Sequence, residues 1–399
     1  MPLATIPEAI ADLEDGRFII IVDDEDRENE GDLCVAAQLV TPEQITFMSR
    51  YGGGLICTPM ISNRLDELGI EPMVNHNTSR YGTAFSVSVE ARELVTTGIS
   101  AFDRAATIRH LVNLNAKPGD FAKPGHTFPL RAAEGGVLKR AGQTEASVDL
   151  ARLAGLYPAG VICEVMNDDG TMARLPDLER FSAAHDIKIV TIKDLIAFRR
   201  RNERLVERRV VTPNIPVGHT MWTAYAYEDL ISHDIHLAMV LGEIDPQRPT
   251  LVRVHSSCLT GDVFGSLRCD CGPQLQAAMD LIAAEGSGTV LYIGNHEGRG
   301  IGLLGKLQAY NLQDEGLDTV EANEALDQPA DSRDYGTGHQ ILYDLGVRQI
   351  RLLTNNPRKL IGIEGYGLEV VEQLPIKIEP NQYNERYLRT KKEKLGHNL

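Results

Sequence analysis

Residues 251–294 read LVRVHSSCLTGDVFGSLRCDCGPQLQAAMDLIAAEGSGTVLYIG, and three structural patterns follow one another within this stretch. Residues 251–255 (LVRVH) and 288–294 (GTVLYIG) are strand-like apolar runs. Residues 273–286 (PQLQAAMDLIAAEG) lie between them and have the composition and spacing of a helix. A strand, a helix and a second strand in succession predict α/β structure for this part of the chain.

The same alternation extends over the rest of the chain. Residues 301–316 are helical and residues 349–354 strand-like, with prolines and glycines at most junctions. In the first half, residues 17–22 and 159–166 are strand-like and residues 144–155 are helical. We therefore predict an α/β (mixed α+β) fold with two consecutive domains, each a mixed sheet with flanking helices.

The chain length and one basic segment set the domain boundaries. A chain of 399 residues is too long for one ordinary core, since single cores stop growing near about 250–300 residues. Residues 199–213, RRRNERLVERRVVTP, contain six arginines against two glutamates and end in a proline, which indicates a boundary. We predict a first domain over residues 1–200, a basic linker over 201–209 and a second domain over 210–399.

Charge and hydropathy exclude some classes of function. A net charge of −16 disfavours general nucleic-acid binding, because an acidic surface repels a phosphate backbone. The sequence has neither a run of ~20 apolar residues nor a signal-peptide pattern at its N-terminus. We therefore expect a cytoplasmic enzyme that does not bind membranes, and we expect it to be a homodimer. Cys34, Cys57 and Cys163 lie in apolar runs and are expected to be buried, inert thiols.

The other three cysteines, Cys258, Cys269 and Cys271, fall within fourteen residues. Thiolates in a reducing compartment indicate zinc, which prefers four ligands in tetrahedral geometry. Three protein ligands leave one position open, which is typical of a catalytic site. The alternative is a structural zinc knuckle with His255 as the fourth ligand.

Cationic and polar groups recur near the predicted strand ends around these cysteines. Arginine binds phosphate oxygens bidentately and lysine supplies a point charge, so the groups suit a triphosphate. A carboxylate can accept hydrogen bonds from the N1 and amino groups of guanine. Each arginine alone is more simply a solvated surface charge, but the set favours an open, nucleotide-binding zinc site. The groups are Arg253, His255, Glu297, Arg299, Asp331, Arg333, Thr354 and Lys359.

The second half, over nearly all of residues 210–399, resembles GTP cyclohydrolase II. The resemblance implies hydrolysis of GTP to formate, pyrophosphate and 2,5-diamino-6-ribosylamino-4(3H)-pyrimidinone 5′-phosphate in riboflavin biosynthesis. It also implies one zinc ion per domain, with magnesium accompanying the triphosphate. The motifs are RVHSSCLTGDVFGSLRCDCGPQL (253–275), HEGRGIGL (296–303), DTVEAN (318–323), DSRDYG (331–336) and LLTNNPRK (352–359).

The resemblance further implies roles for single residues. The three cysteines would be the zinc ligands, Asp331 the general base and Arg333 a nucleophile toward the α-phosphate. Because a guanidinium is a poor nucleophile, we expect Arg333 to stabilise phosphate charge instead. Tyr310 is a candidate proton donor, and a packed helical tyrosine is the equal alternative. The implied GTP contacts are Arg253, Val254, His255, Ser256, Ser257, Gln274, Glu297, Gly298, Arg299, Thr319, Thr354 and Lys359.

Two departures from the family pattern lie in this half. Ser257 stands where the family usually has Glu, and Gly294-Asn295 stand where Arg-Gly is common. The zinc ligands are retained, but a missing arginine beside the nucleotide could weaken GTP binding. A product that keeps its formyl group is also conceivable.

The first half carries a second constellation. Residues 23–32 (DDEDRENEGD) directly follow a strand-like run, and carboxylates at a strand end are what Mg²⁺ prefers. Arg140 precedes a predicted helix and could hold a phosphate together with the helix N-terminus. These segments resemble 3,4-dihydroxy-2-butanone 4-phosphate synthase over residues 1–200. Further matching motifs are GTAFSVSVEA (82–91), GISAFDRAATIRHL (98–111), PGHTFPLRA (124–132) and LKRAGQTEASVDLARLAG (138–155).

This second resemblance implies conversion of ribulose 5-phosphate to 3,4-dihydroxy-2-butanone 4-phosphate and formate, with Mg²⁺. Glu28 would bind magnesium, and the family's second ligand, a histidine, is replaced by Gln143. Glutamine cannot titrate near neutral pH, so we predict a folded but weak or inactive synthase half. The alternatives are a fully bifunctional enzyme and a non-catalytic zinc-containing scaffold. The implied sugar-phosphate contacts are Arg27, Glu28, Asp32, Arg140, Thr144 and Glu164.

Overall fold

A computed structural model of the chain describes residues 3–25, 27–326, 328, 333, 335–356 and 363–394. It divides into two units, Met1–Arg199 and Arg200–Leu399. Each unit contains one seven-stranded sheet with both parallel and antiparallel neighbours and with helices beside it. The predicted mixed α/β fold of two consecutive domains is confirmed.

The first unit is built on a sheet with the strand order β4-β5-β3-β6-β2-β1-β7. Its strands are β1 (Ile19–Val22), β2 (Gly31–Ala36), β3 (Cys57–Ile61), β4 (Val89–Ala91), β5 (Phe121–Ala132), β6 (Gly160–Glu164) and β7 (Lys188–Thr191). Its helices are α1 (Ile6–Glu14), α2 (Pro42–Phe47), α3 (Ser62–Glu67), α4 (Ala101–Leu111), α5 (Gln143–Leu153), α6 (Leu175–His185) and α7 (Ile192–Asn202).

Local sequence explains several of these elements. Thr5 and Thr41 begin α1 and α2 as N-caps, each with a capping box and a proline in the first turn. Strands β1 and β2 are buried along their whole length because apolar clusters cover both faces of the sheet. Cys34, Cys57 and Cys163 are buried in these layers. Burial raises the pKa of each thiol, that of Cys163 to about 12, as expected for inert cysteines.

The second unit has the strand order β14-β13-β11-β12-β10-β9-β8. Its strands are β8 (Val206–Val217), β9 (Thr220–Asp229), β10 (Ile235–Leu241), β11 (Pro249–Ser256), β12 (Gly288–Ile293), β13 (Gln349–Leu353) and β14 (Glu369–Leu374). Its helices are α8 (Leu259–Asp262), α9 (Cys271–Glu285), α10 (Gly302–Asp314), α11 (Thr319–Glu324), α12 (Gly336–Asp344) and α13 (Glu385–Glu393).

Half of this second sheet is parallel. Strands β12, β11, β13 and β14 are parallel neighbours, whereas β8, β9, β10 and β12 pair antiparallel. The carboxyl ends of parallel strands meet at one edge, which is where open α/β sheets bind ligands.

The predicted basic linker over residues 201–209 is largely regular structure instead. Its first residues end α7 and residues 206–209 begin β8. The arginines there are paired: Arg208 Nη2 lies 2.6 Å from Asp344 Oδ2, and Arg209 Nε lies 2.7 Å from Glu228 Oε2. Tyr227 also donates to Asp344 Oδ2, at 2.8 Å. These partners convert a charged run into the edge strand of the second sheet.

Asp344→Asn is expected to lower the free energy of unfolding of the second unit by about 1–3 kcal/mol, because three side-chain donors, Arg204, Arg208 and Tyr227, lose a charged acceptor. Burial opposes ionisation of Asp344, but its bonds with Tyr227 and Arg208 hold its pKa below the ordinary value. The stabilisation is therefore present above the ordinary Asp pKa of about 4 and is lost as the pH falls further. Thermal unfolding at pH 7 measures it, with Glu207→Gln as control, because Glu207 is a half-buried carboxylate on the same strand with a single surface partner, Arg209. Equal Tm shifts in the two variants would contradict this assignment.

Candidate functional site

The three clustered cysteines lie at the carboxyl edge of the parallel strands. Cys258 follows β11, and Cys269 and Cys271 precede and begin α9. Their sulfurs all lie within 4.8 Å of one another, with 3.6 Å between the Sγ atoms of Cys258 and Cys269. A Cβ on Gly261 would lie 2.7 Å from Cys269 Sγ and 3.0 Å from Cys258 Sγ, so only glycine fits between them. This is a compact trigonal set of soft donors that fits zinc.

Electrostatics at the sulfurs favour a metal-binding state. The pKa of Cys258 is lowered because its sulfur accepts from the thiols of Cys269 and Cys271 and lies 3.1 Å from Lys306 Nζ. The same contact with Cys258 raises the pKa of Cys269 to about 11. One thiolate is thus shared among the three sulfurs, and a divalent cation would stabilise the other two as thiolates as well.

His255 was the candidate fourth ligand of a structural zinc knuckle, but its ring contacts Asp262 instead. Its Nε2 lies 3.1 Å from Asp262 Oδ1, and its ring stacks on Tyr292 with 5.6 Å between centroids. Among the described residues, only the three cysteines form the ligand group there. Asp262 also accepts from the backbone N–H of Cys258 at 2.9 Å. His255 therefore supports the loop that carries Cys258, and the arrangement favours an open site.

Most of the predicted GTP contacts line one cavity together with the three cysteines. Val254 is the exception, since its side chain packs in the hydrophobic core. Asp331 and Lys359 lie outside the described residues. The predicted residues around the cavity are Arg253, His255, Ser256, Ser257, Gln274, Glu297, Gly298, Arg299, Tyr310, Thr319, Arg333 and Thr354.

Glu297, the carboxylate expected to bind guanine, has two hydrogen-bond partners within the chain. Its Oε1 lies 2.6 Å from Lys306 Nζ, and its Oε2 accepts from the backbone N–H of Leu259 at 2.6 Å. Arg299, two residues on, has a left-handed φ of 65°. That conformation is uncommon for a side-chain-bearing residue and sets the turn that carries Arg299 to the cavity wall. Glu297 thus ties Leu259, the residue after Cys258, to Lys306 of α10, and it also lines the cavity.

Ser256 and Arg333 meet at the same wall. Arg333 Nη1 donates to Ser256 Oγ at 3.3 Å, and His296 Nδ1 lies 3.1 Å from the same oxygen. The Arg333 guanidinium also lies 5.7 Å from the centre of the Tyr335 ring. These contacts hold one cation beside the cavity in an aromatic and polar environment, as charge stabilisation at a phosphate requires.

The two sequence departures have visible local reasons. Ser257 Oγ donates to the carbonyl of Gly294 at 3.0 Å. A Cβ on Gly294 would lie 2.4 Å from the carbonyl oxygen of Ile235, so a larger residue would require the backbone to move. Asn295 Nδ2 donates to Asp234 Oδ2 at 3.0 Å. These residues form a hydrogen-bonded corner in which no arginine is held.

Several cavity residues were missed from sequence. Lys306 is buried and forms an ion pair with Glu297. It lies nine residues after that glutamate, in the second turn of α10. Tyr387 and Lys391 reach the cavity from α13, more than a hundred residues from the cysteines. Lys306 lies three residues after the HEGRGIGL motif, so the sequence offered a signal for it, whereas α13 carries no motif.

The first-unit site is organised by Arg27. Its Nη1 donates to Asp23 Oδ2 at 2.7 Å and to Gln143 Oε1 at 2.9 Å. Its Nη2 lies 2.7 Å from Glu28 Oε1. The two positions expected to share a magnesium ion, Glu28 and Gln143, are therefore bridged by one guanidinium. The structure brings them together, but the carbonyl oxygen of Gln143 faces a cationic side chain.

Arg140 and Thr144 lie at the N-terminus of α5, as predicted. Arg140 Nη1 pairs with Glu145 Oε2 at 2.6 Å, and its Nη2 donates to Thr83 Oγ1 at 3.2 Å. A Cβ on Gly142 would lie 2.5 Å from Arg140 Nη1 and 3.1 Å from Arg27 Nη2. Two guanidinium groups thus converge on a helix N-terminus, an arrangement that suits a phosphate.

Carboxylates crowd the other side of this site. Asp32 and Glu164 are directly opposite each other on β2 and β6. The pKa of Asp32 is raised well above its ordinary value by burial and by the charges of Glu164, Glu28 and Glu30. Burial and Glu28 raise the pKa of Glu30 as well. Repulsion of this kind is relieved by a bound divalent cation, which is the chemistry expected of a magnesium site.

Each of the two units matches a known family. The family model of 3,4-dihydroxy-2-butanone 4-phosphate synthase matches residues 7–198, and that of GTP cyclohydrolase II matches residues 207–375. The chain is therefore a fusion of a synthase domain and a cyclohydrolase domain. It belongs to the RibBA family of riboflavin-biosynthesis proteins.

Two relatives match almost end to end. The riboflavin biosynthesis protein RibBA of Aquifex aeolicus (strain VF5) is 58% identical over 395 residues, covering 98% of this chain and 97% of the relative. That of Salinispora arenicola (strain CNS-205) is 57% identical over 395 residues, covering 99% and 94%. The crystal structure of RibBX, a two domain 3,4-dihydroxy-2-butanone 4-phosphate synthase from A. baumannii, has a TM-score of 0.70 at 38% identity. It covers 94% of this chain and 100% of its own.

These findings correct one prediction. The synthase family model matches nearly all of the first unit, and the relatives extend over both units. The comparisons therefore do not support a weak or inactive synthase half, and they favour the fully bifunctional alternative. The reason lies in the site: Arg27, Glu28, Asp32, Arg140 and Glu164 are assembled despite Gln143. Within the described part of the chain, no helix is long and apolar enough to cross a membrane.

Proposed function

We propose that the chain is a bifunctional riboflavin-biosynthesis enzyme that acts on GTP in its second unit and on ribulose 5-phosphate in its first. The observation that carries the GTP assignment is the convergence of three thiols and four arginines, Arg253, Arg268, Arg299 and Arg333, on one cavity. The products from GTP are formate, pyrophosphate and 2,5-diamino-6-ribosylamino-4(3H)-pyrimidinone 5′-phosphate. Product analysis by mass spectrometry tests the assignment.

In the second unit, Cys258, Cys269 and Cys271 would hold one zinc ion, which would supply the Lewis acidity needed to activate water. Arg299 and Arg333 bind the phosphates and stabilise the charge that develops as pyrophosphate leaves. Asp331, assigned from its motif, takes up and returns protons. Tyr310 lies on the cavity wall with Arg268 and Lys306 near its ring, where its hydroxyl orients the substrate. Magnesium accompanies the triphosphate.

In the first unit, Arg27 and Arg140 bind the sugar phosphate at the N-terminus of α5. The carboxylates around Glu28 would hold magnesium, because their crowding with Asp32 and Glu164 favours a cation. The carbonyl oxygen of Gln143 accepts a hydrogen bond from Arg27, so we do not assign Gln143 as a magnesium ligand. Thr144 and Glu164 complete the contacts to ribulose 5-phosphate, which yields 3,4-dihydroxy-2-butanone 4-phosphate and formate.

Gln143→His tests this view of the magnesium site. At saturating Mg²⁺, the wild-type chain is expected to turn over ribulose 5-phosphate within about tenfold of the variant, because a histidine at position 143 would add one ligand to carboxylates that would already hold the ion. The variant is expected to need less Mg²⁺. Assays of 3,4-dihydroxy-2-butanone 4-phosphate over a Mg²⁺ series measure both quantities. A wild-type chain without turnover at any Mg²⁺ concentration would restore the inactive interpretation.

The rival of a different class is a zinc-containing scaffold without catalysis. Such a protein would bind zinc without releasing formate from GTP. Asp331→Asn separates the two, because the proposed enzyme should then retain zinc and lose turnover. The reduced thiols and the substrates favour a cytoplasmic location, and a homodimer remains our proposal for the assembly.

A further inference from the structure

The C-terminal segment carries two side chains into the nucleotide cavity. The cyclohydrolase family model ends its match at residue 375, ten residues before α13 begins at Glu385. Nevertheless Tyr387 and Lys391 of α13 line the same cavity as the three cysteines. The Arg299 guanidinium lies 5.9 Å from the centre of the Tyr387 ring. A helix outside the matched region therefore belongs physically to the site.

Lys391 forms a buried ion pair with the zinc loop, the segment of residues 258–271 that carries the three cysteines. Its Nζ lies 2.5 Å from Oδ1 of Asp270, the residue between Cys269 and Cys271. Lys391 is 8% exposed and Asp270 only 1%, so solvent screens this pair weakly. The ammonium of Lys391 thus lies against the carboxylate in the middle of the Cys-Asp-Cys turn.

From Asp270 a chain of hydrogen bonds runs to Arg253. Gln274 Nε2 donates to Asp270 Oδ2 at 2.6 Å, and Gln274 Oε1 accepts from Arg253 Nη2 at 2.6 Å. The ionised carboxylate can only accept, so it fixes which end of the Gln274 amide faces Arg253. Arg253 Nη1 is held by the carbonyl of Leu353 at 2.9 Å. Its buried Nε has no partner in the described structure and remains a donor for a ligand.

Further contacts hold α13 against the cavity wall. Lys394 pairs with Asp318 and, at 2.9 Å, with Glu321, both at the start of α11 beside Thr319. Arg386 Nη2 donates to the carbonyl of Gly316 at 2.5 Å. The helix is therefore fixed to the segment that carries Thr319, one of the predicted GTP contacts.

We propose that α13 is a wall of the GTP site and that Lys391 is a positioning residue, acting through Asp270 on both the zinc loop and Arg253. The proposal rests on the proposed GTP function for its ligand. Without Lys391, Asp270 lies buried without its counter-ion and must move toward another partner or toward solvent. Gln274 then loses the acceptor that orients it, and the Cys269–Cys271 turn loses its contact with α13.

The test compares full-length Lys391→Met, Lys391→Arg and, as matched control, Lys392→Met on the exposed face of the same helix. Lys391→Met is expected to weaken binding of a non-hydrolysable GTP analogue about tenfold and to speed zinc release to a chromogenic chelator, because breaking a buried ion pair is costly. KM for GTP should rise more than kcat falls. Lys391→Arg should recover part of both losses, and Lys392→Met should match wild type.

The double variant Lys391→Met/Asp270→Asn separates this charge effect from simple loss of packing. It removes both members of the Lys391–Asp270 ion pair and keeps an amide oxygen that Gln274 can donate to, so zinc retention should exceed that of Lys391→Met. Zinc release and analogue binding equal to Lys392→Met in the single variant would overturn the proposal, as would a double variant no better than the single one. Should Lys391→Met fail to fold, the double variant decides. A wild-type chain that binds zinc and the analogue but releases no formate would refute the proposed function alone, since these two readouts still report on Lys391.

Discussion

Cys269→Ser is expected to reduce formate release from GTP on the order of a thousandfold or more while leaving turnover of ribulose 5-phosphate unchanged. The sulfur of Cys269 is 3.6 Å from that of Cys258 in a group of three, and a hydroxyl is a poor zinc ligand in its place. Loss of the metal removes several kcal/mol of transition-state stabilisation. The measurements are zinc content by elemental analysis and formate release from each substrate separately.

The matched control is Cys57→Ala, which removes a buried thiol from the first unit. That variant should keep its zinc and its GTP activity, although its first unit should be less stable because a core side chain is shortened. Removal of zinc from the wild type by a chelator should reproduce Cys269→Ser, and added zinc should restore activity only in the wild type. Undiminished formate release from GTP by zinc-free Cys269→Ser would refute the zinc assignment.

Arg27→Met is expected to impair the synthase activity and spare GTP turnover, the reverse of Cys269→Ser. It should reduce formation of 3,4-dihydroxy-2-butanone 4-phosphate by about a hundredfold, because one guanidinium holds Asp23, Glu28 and Gln143 together. Without it, the carboxylates around Glu28 repel each other and the phosphate loses a cation. GTP turnover should stay within about twofold of wild type, since the change lies in the other unit.

Arg92→Met serves as control, because Arg92 is an exposed arginine of the same unit. It should leave both activities intact. A chain in which Arg27→Met turns over ribulose 5-phosphate normally would show that the α5 N-terminus is not the sugar-phosphate site. Equal loss of both activities in Arg27→Met would instead indicate a general folding defect, which thermal unfolding would reveal.

The sequence was sufficient for the elements whose information is local. Alternating apolar runs predicted the mixed sheets, and the spacing of Cys258, Cys269 and Cys271 predicted a sulfur cluster that the fold brings within 4.8 Å. Arg253 and Thr354 were predicted as GTP contacts from polar groups that recur near strand ends and from the family resemblance, and both line the cavity. The basic segment at residues 201–209 was predicted to be a linker, because the partners of its arginines, Asp344 and Glu228, lie far away in the sequence.

Long-range pairing hid the remaining features. Nothing near Gln143 indicates that Arg27, 116 positions earlier, takes its carbonyl oxygen, so its replacement of histidine was given too much weight. Lys391 lies 121 positions from Asp270 in a polar helix whose composition resembles any solvated face. Tertiary contacts of this kind depend on how whole elements pack, and one sequence without an alignment does not carry them.

The most direct test is to incubate the wild-type chain, loaded with Zn²⁺ and Mg²⁺, with GTP and ribulose 5-phosphate in separate reactions and to identify the products by mass spectrometry. We predict formate, pyrophosphate and 2,5-diamino-6-ribosylamino-4(3H)-pyrimidinone 5′-phosphate from the first reaction, and formate and 3,4-dihydroxy-2-butanone 4-phosphate from the second. A zinc-bound chain that leaves GTP intact, or that converts GTP without releasing formate, would contradict the account of the second unit. Unchanged ribulose 5-phosphate would contradict the account of the first.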